Sequence, residues 1–256
     1  MRRFTLIAAF AALFISPVIS SAALAAGDVA HPKEIRWNHG GVFGTFDRAA
    51  VQRGLQVYRE VCSGCHSLNY IAFRNLVEIG LNEDQAKAIA GEYTVMDGPN
   101  NEGDMYERAG KLSDYMPAPF DNEQAARASN NGALPPDLSL MVKARAGAEN
   151  YLYSLLVGYT DAPSGVTVAE GMNYNPYFPG HQIAMAPPID DEAVDYVDGT
   201  KNSKEQIAKD VVTFLAWAAE PTLEVRKKMG VKVVLYLFLL TIVLYMVKRK
   251  VWADVH

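Results

Sequence analysis

Apolar residues are distributed along this chain in three ways. Phe4 to Ile15 is a short apolar run behind Arg2 and Arg3, and Val233 to Val247 is a second run without a charge. Between them, short stretches of helical periodicity alternate with long polar intervals. Val51, Leu55, Tyr58 and Val61 predict a helix over Ala49–Val61. Ile71–Ile79 reads as another, and Asn82 with Gln85 forms a capping box opening a third that runs to about Gly91. Glu123–Ser129 and Glu149–Val157 follow, the latter closed by Gly158. Ser203 with Gln206 makes a second capping box, opening a helix through Trp217 to Ala219 before a break at Pro221. Gly54 inside the first helix costs ~1 kcal/mol against alanine, which close packing against another helix would explain. The intervals 94–121 and Tyr159–Asp198 read as long loops, and no strand pattern or internal repeat is visible. The expectation is a mainly α domain with unusually long loops.

The two apolar runs have different meanings. Arg2 and Arg3, the run Phe4–Ile15 and the small residues ending at Ala23-Leu24-Ala25 form an export signal with an A-x-A cleavage site. The C-terminal run alone spans only about 22 Å as helix, at ~1.5 Å per residue, against about 30 Å for a bilayer core. Starting from Met229 lengthens it enough, provided Lys232 snorkels its ammonium to the headgroups. Lys248-Arg249-Lys250 and Trp252 follow as interface residues. The chain is thus divided into a cleaved signal (1–26), an exported domain (27–228), a transmembrane anchor (229–247) and a cytoplasmic tail (248–256).

Charge sharpens this partition. The whole chain carries a formal charge of −5, but residues 26–225 hold 15 Lys+Arg against 28 Asp+Glu, a net of −13. An exported part this acidic argues against nucleic acid and favours basic partners. Glu102, Asp104 and Glu107 with Asp97 in the first long loop, and Asp190, Asp191, Glu192, Asp195 and Asp198 in the second, are alternative acidic clusters.

The chemistry concentrates at Cys62-Ser63-Gly64-Cys65-His66. A C-x-x-C pair followed at once by histidine is a c-type haem attachment pattern: each thiol adds to one vinyl group, and the imidazole becomes an axial ligand. A zinc site would need further ligands, and a redox disulfide a βαβ setting. These are the chain's two cysteines. An electron-carrying haem takes a second axial ligand, and methionine raises the potential relative to histidine. Met96, Met105, Met116, Met141, Met172 and Met185 are available in the exported domain. Met116 and Met185 stand out because prolines stiffen their loops, and Met185 lies late enough to close over the face opposite His66. His31, His39 and His181 are outside candidates, expected at the surface.

Longer stretches carry a resemblance. Gln56–Leu68, Asn130-Asn131-Gly132-Ala133-Leu134-Pro135-Pro136-Asp137-Leu138-Ser139 and Asn173-Tyr174-Asn175-Pro176-Tyr177-Phe178-Pro179-Gly180 resemble cytochrome c1. That family is the haem subunit of the quinol–cytochrome c oxidoreductase, or cytochrome bc1 complex. The resemblance implies a cytochrome c-type haem domain with one haem c on Cys62 and Cys65, His66 and Met185 as axial ligands, Arg145 pairing a propionate, and Tyr151 in the pocket. It implies cytochrome b and the Rieske iron–sulfur protein as partners, the latter as electron donor, and cytochrome c as acceptor. It implies a bacterial inner membrane location with the haem domain in the periplasm. Some members carry a disulfide in the loop before the ligand methionine; this chain lacks its cysteines, so packing must hold that loop. A free-standing membrane-anchored cytochrome c shuttle, and a haem enzyme with an open iron site, are the rival readings.

Overall fold

The computed structural model describes residues 29–254. The signal sequence expected over 1–26 lies outside the described residues.

The domain is organised on α6 (Lys204–Ala219), a 16-residue helix whose residues from Ile207 to Ala219 are almost all buried. It is buried on most sides because it is surrounded: α1 (Arg48–Val57), α4 (Met141–Ala144) and α5 (Ala148–Val157) all pack on it. Trp217, Phe214, Tyr58 and Phe73 are fully buried in the shared core. Each such ring contributes roughly 1.5–3 kcal/mol by leaving water.

Gly54 explains how α1 comes so close to α6. A Cβ there would lie 2.1 Å from the carbonyl oxygen of Asp210 and 2.6 Å from Cβ of Phe214. One residue earlier, Arg53 spans the same seam. Its Nε and Nη2 donate to the two oxygens of buried Asp210 at 2.8 and 3.1 Å, and its Nη1 reaches Asp198 at 2.8 Å. The paired geometry offsets the cost of burying that carboxylate.

The helices anticipated from periodicity are present, with a 3₁₀ segment over Phe73–Ile79, α2 over Glu83–Gly91 and α3 over Glu123–Ser129. Asn82 and Gln85 form the reciprocal capping box. The second expected box does not form. Ser203 stands at the α6 N-terminus, but its side chain caps nothing; Asp191 accepts from the Lys204 amide at 2.8 Å instead. A carboxylate from the preceding loop is a stronger acceptor at a helix N-terminus than a hydroxyl.

The expectation of no strands also needs correction. Within the first long interval, β1 (Thr94–Asp97) pairs antiparallel with β2 (Tyr106–Ala109). In the second, β3 (Asn173–Tyr174) pairs with β4 (Gln182–Ile183). These strands are short and largely polar, so alternation could not announce them. The first hairpin is tied down by Arg108, which bonds Asp97 and Asp114 together. Glu102, Asp104 and Glu107 on the same hairpin have no ion-pair partner among the described residues.

After Pro221 comes α7 (Leu223–Val251), 29 residues without a buried side chain. At ~1.5 Å per residue it is about 44 Å long. It is long and apolar enough to cross a membrane, and begins six residues before the expected span.

Candidate haem-attachment site

The end of α1 presents the attachment motif. Beyond Val57 the helix widens into a π-helical turn, Tyr58–Cys62, in which the Ser63 amide donates to the Tyr58 carbonyl at 2.8 Å. The amides of Cys65 and His66 then both donate to the Cys62 carbonyl, at 3.1 and 2.9 Å. One carbonyl thus folds the second cysteine and the histidine back over the helix end. Cys62 lies half-buried against the core, and Cys65 is exposed. Burial, reinforced by Cys65, pushes the Cys62 thiol up to about 12.

His66 is oriented from the other side of the domain. Its Nδ1 donates to the Pro136 carbonyl at 2.7 Å, which fixes the tautomer and leaves Nε2 without a proton and available as an acceptor or a ligand. Burial lowers its pKa, with the Pro136 bond and Asp137 acting in the opposite sense. The next residue secures this arrangement. Asp137 Oδ2 accepts from Ser67 Oγ and the Asn69 amide, both at 2.8 Å, while Oδ1 accepts from the Ser139 amide at 2.8 Å. Leu138 donates to the Ser67 carbonyl at 2.9 Å, and Tyr58 Oη to that of His66 at 3.0 Å. Burial pushes the Asp137 carboxyl upward, but these donors outweigh it and its pKa is lowered.

Met185 sits half-buried against the core in the later half of the second long interval. Tyr159 Oη donates to its carbonyl at 3.0 Å, and Asn173 Nδ2 reaches the same oxygen at 3.4 Å. These two bonds, with the β3–β4 pair just before, hold a loop that has no disulfide. Burial raises the pKa of both Tyr159 and Tyr151, and at Tyr151 the charge of Arg145 acts in the opposite sense. Tyr151 is buried and Arg145 exposed. Arg145 donates to the Ala144 carbonyl at 3.2 Å and has no carboxylate partner among the described residues. The rival Met116 is 2% exposed within the core, its amide bonded to Ile71. His39, expected at the surface, is buried against Phe46 with Nε2 3.0 Å from Glu149.

The donor set fits a haem held by two thioethers. Two thiols and an imidazole occupy one turn, and the imidazole nitrogen not bonded to Pro136 remains for iron. A thioether stands on a pinned loop, and a guanidinium lacks an anion. Periodicity had no means of finding Pro136, Asp137, Tyr159 or Asn173, although three of them lie in the quoted motifs.

Fold and turn together define a class: a helical c-type cytochrome domain continuous with one long apolar helix. The chain belongs to the cytochrome c1 family, whose model matches residues 37–255. It is 54% identical over 219 residues to "Cytochrome c1, heme protein, mitochondrial" of Schizosaccharomyces pombe, covering 86% of this chain and 71% of that protein. It is 50% identical to "Cytochrome b-c1 complex catalytic subunit, mitochondrial" of Candida albicans, over 95% of this chain and 85% of the relative. "Cytochrome b/c1" of Bradyrhizobium diazoefficiens is 47% identical over 88% of this chain, which corresponds to 36% of that longer protein.

Proposed function

We propose that this chain is the haem-bearing electron-transfer subunit of a cytochrome bc1 complex. Cys62 and Cys65 hold one haem c covalently, His66 and Met185 are its axial ligands, Arg145 pairs a propionate and Tyr151 borders the pocket. The bound haem supplies a one-electron couple, filled by the Rieske iron–sulfur protein and emptied by a cytochrome c. The protein's own work is positional. Pro136 and the Asp137 network would hold the imidazole, and Tyr159 and Asn173 would hold the backbone that carries the thioether. With cytochrome b as a further partner, α7 anchors the domain in a bacterial inner membrane. The haem domain lies in the periplasm and residues 248–256 in the cytoplasm.

The observation that carries this reading is the family match across 37–255, with an intact Cys62-to-His66 turn inside it. The acidic exported domain supports encounter with a basic carrier, whose rate should fall with salt. Purification of the native protein in mild detergent tests the assignment. Haem should remain on the chain through denaturing electrophoresis, and cytochrome b should co-elute. A haem-loaded chain that elutes alone would favour a free-standing shuttle, and haem lost on denaturation would remove the covalent attachment.

A further inference from the structure

Val42 and Phe43 are 63% and 84% exposed at the tip of the loop between Trp37 and Phe46. The loop is rigid, not loose. Gly40 donates to the Trp37 carbonyl at 3.0 Å and Thr45 to that of Asn38 at 3.2 Å. A Cβ on Gly44 would fall 1.9 Å from the Gly40 carbonyl oxygen, so the loop closes too tightly to bury its own tip. His39 stacks on Phe46 at 4.8 Å and ties the base of the loop to the core.

Both ends of this loop are held by the first turns of α7. Lys227 Nζ donates to the His39 carbonyl at 2.5 Å and the Gly44 carbonyl at 3.1 Å. Glu224 accepts from the Phe46 amide at 2.9 Å and pairs with Arg48 at 3.2 Å. The order of these contacts gives the loop a direction. Phe46 meets the helix at Glu224 and Gly44 meets it at Lys227, about 4.5 Å further along the axis at ~1.5 Å per residue. Val42 and Phe43 immediately precede Gly44 in the chain, and Met229, where the apolar run opens, follows Lys227 by two residues. Lys228 stands on the same turn of α7, as does Arg226, which pairs with Glu220, and Arg36 and Asn38 line an open polar cavity of about 660 Å³ bordered by the loop. An apolar tip flanked by basic and polar groups beside a spanning helix matches the headgroup–acyl boundary of a bilayer.

We propose that the Gly40–Gly44 loop is a lipid-contacting element. Phe43 and Val42 enter the membrane interface beside α7 and, through the Lys227 and Glu224 clamps, set the depth and tilt of the haem domain. The inference rests on α7 being a membrane span.

Haem attachment consumes both native thiols, so single cysteines can be labelled in the full-length, haem-loaded chain. Phe43→Cys, Leu239→Cys and Val197→Cys would carry a nitroxide, with the chain reduced and held in phosphatidylcholine–phosphatidylglycerol vesicles. Leu239 lies within the span, and Val197 is 98% exposed on the domain. Accessibility to oxygen relative to a water-soluble nickel complex reports depth. The ratio at 43 should stand several-fold above that at 197 and below that at 239. Equal ratios at 43 and 197 with a high ratio at 239 overturn the loop's role but leave the span intact. A low ratio at 239 removes the span, and the proposal with it. Shielding of position 43 from both reagents marks a protein contact and also overturns it.

Discussion

The imidazole of His66 and the carbonyl of Pro136, 70 residues apart in sequence, meet at 2.7 Å. The attachment turn is local, made by α1 and its π-helical end, but the direction of its histidine is not. That direction comes from a proline-rich turn that neither periodicity nor the C-x-x-C-H spacing could connect to it. Asp137, adjacent to Pro136, is the group that holds the two segments together.

Removing the Asp137 carboxylate should therefore loosen the imidazole. In Asp137→Ala, Ser67 Oγ and the amides of Asn69 and Ser139 all lose their acceptor. Leaving such donors unpaired costs roughly 1–3 kcal/mol each when buried. The Ser67 and Ser139 bonds are part-buried and the Asn69 bond is exposed, so a total near the lower end is expected. Denaturant unfolding of the haem-loaded variant measures it. Ser67→Ala removes one donor and should cost less, about 0.5–1.5 kcal/mol. Equal stability of Asp137→Ala and the parent would show that the loop is held elsewhere.

The same carboxylate predicts a pH dependence. Its folded pKa is depressed, its donors outweighing burial. Its contribution is then fully present above the unfolded value of about 3.9 and is lost as pH falls through the folded value. Stability of the parent should fall more steeply below about pH 4 than that of Asp137→Asn, whose amide does not titrate there. Parallel acid limbs would assign that slope to other carboxylates.

Gly54 and Gly91 offer a matched pair of substitutions. At Gly54 a methyl meets the Asp210 backbone at 2.1 Å, and a backbone atom of a central helix cannot turn away. Gly54→Ala should force α1 off α6 and cost roughly 1–3 kcal/mol or more. Gly91, the last residue of α2, has nothing within 4 Å of the corresponding methyl. Gly91→Ala should be neutral or stabilise by up to about 1 kcal/mol. Thermal unfolding of the two variants checks the contrast, and similar midpoints would contradict the close approach.

How far the sequence disclosed this arrangement depended on whether the information was local. The helices, the Asn82–Gln85 box and the need for a small residue at 54 follow from periodicity, capping chemistry and propensity, all carried within a few residues. The β1–β2 hairpin escaped because its strands are short and polar and because Arg108, outside any pattern, closes it. Asp191 displaced Ser203 at the start of α6 for a similar reason: a tertiary carboxylate outcompetes a local hydroxyl. At the candidate site, Cys62, Cys65 and His66 were legible as a motif. Arg145 and Tyr151 were singled out through family resemblance alone. The hydrogen bonds that orient His66 and Met185 join segments from distant parts of the chain, and no single window of sequence contains them.

Met185 and Tyr159 should separate ligation from support. If the thioether is the second axial ligand, Met185→Leu lowers the midpoint potential, by roughly a few tenths of a volt within the ~0.8 V that axial ligation spans. Tyr159→Phe keeps the methionine but removes the 3.0 Å bond to its carbonyl. That bond contributes about 0.5–1.5 kcal/mol to holding the loop. A smaller fall in potential is expected there, with faster binding of added imidazole as the thioether detaches more often. An unchanged midpoint in Met185→Leu would remove it as a ligand.

The anchor helix should be divisible at Lys228. Beyond that residue α7 buries no side chain against the domain, so deleting 229–256 takes nothing from the core. Leu223 packs on the core, and Glu224 and Lys227 bind the 38–46 loop, so the first turns of α7 belong to the helical domain. A chain ending at Lys228 should be soluble, haem-loaded and close to the parent in thermal midpoint. A chain ending at Thr222 loses both clamps and the Leu223 contact. A few such part-buried bonds contribute about 0.5–1.5 kcal/mol apiece, enough to lower the midpoint by several degrees. Membrane retention of the longer truncation would contradict a single C-terminal anchor. Equal stability of the two would show that the clamps at Glu224 and Lys227 do not bear on the fold.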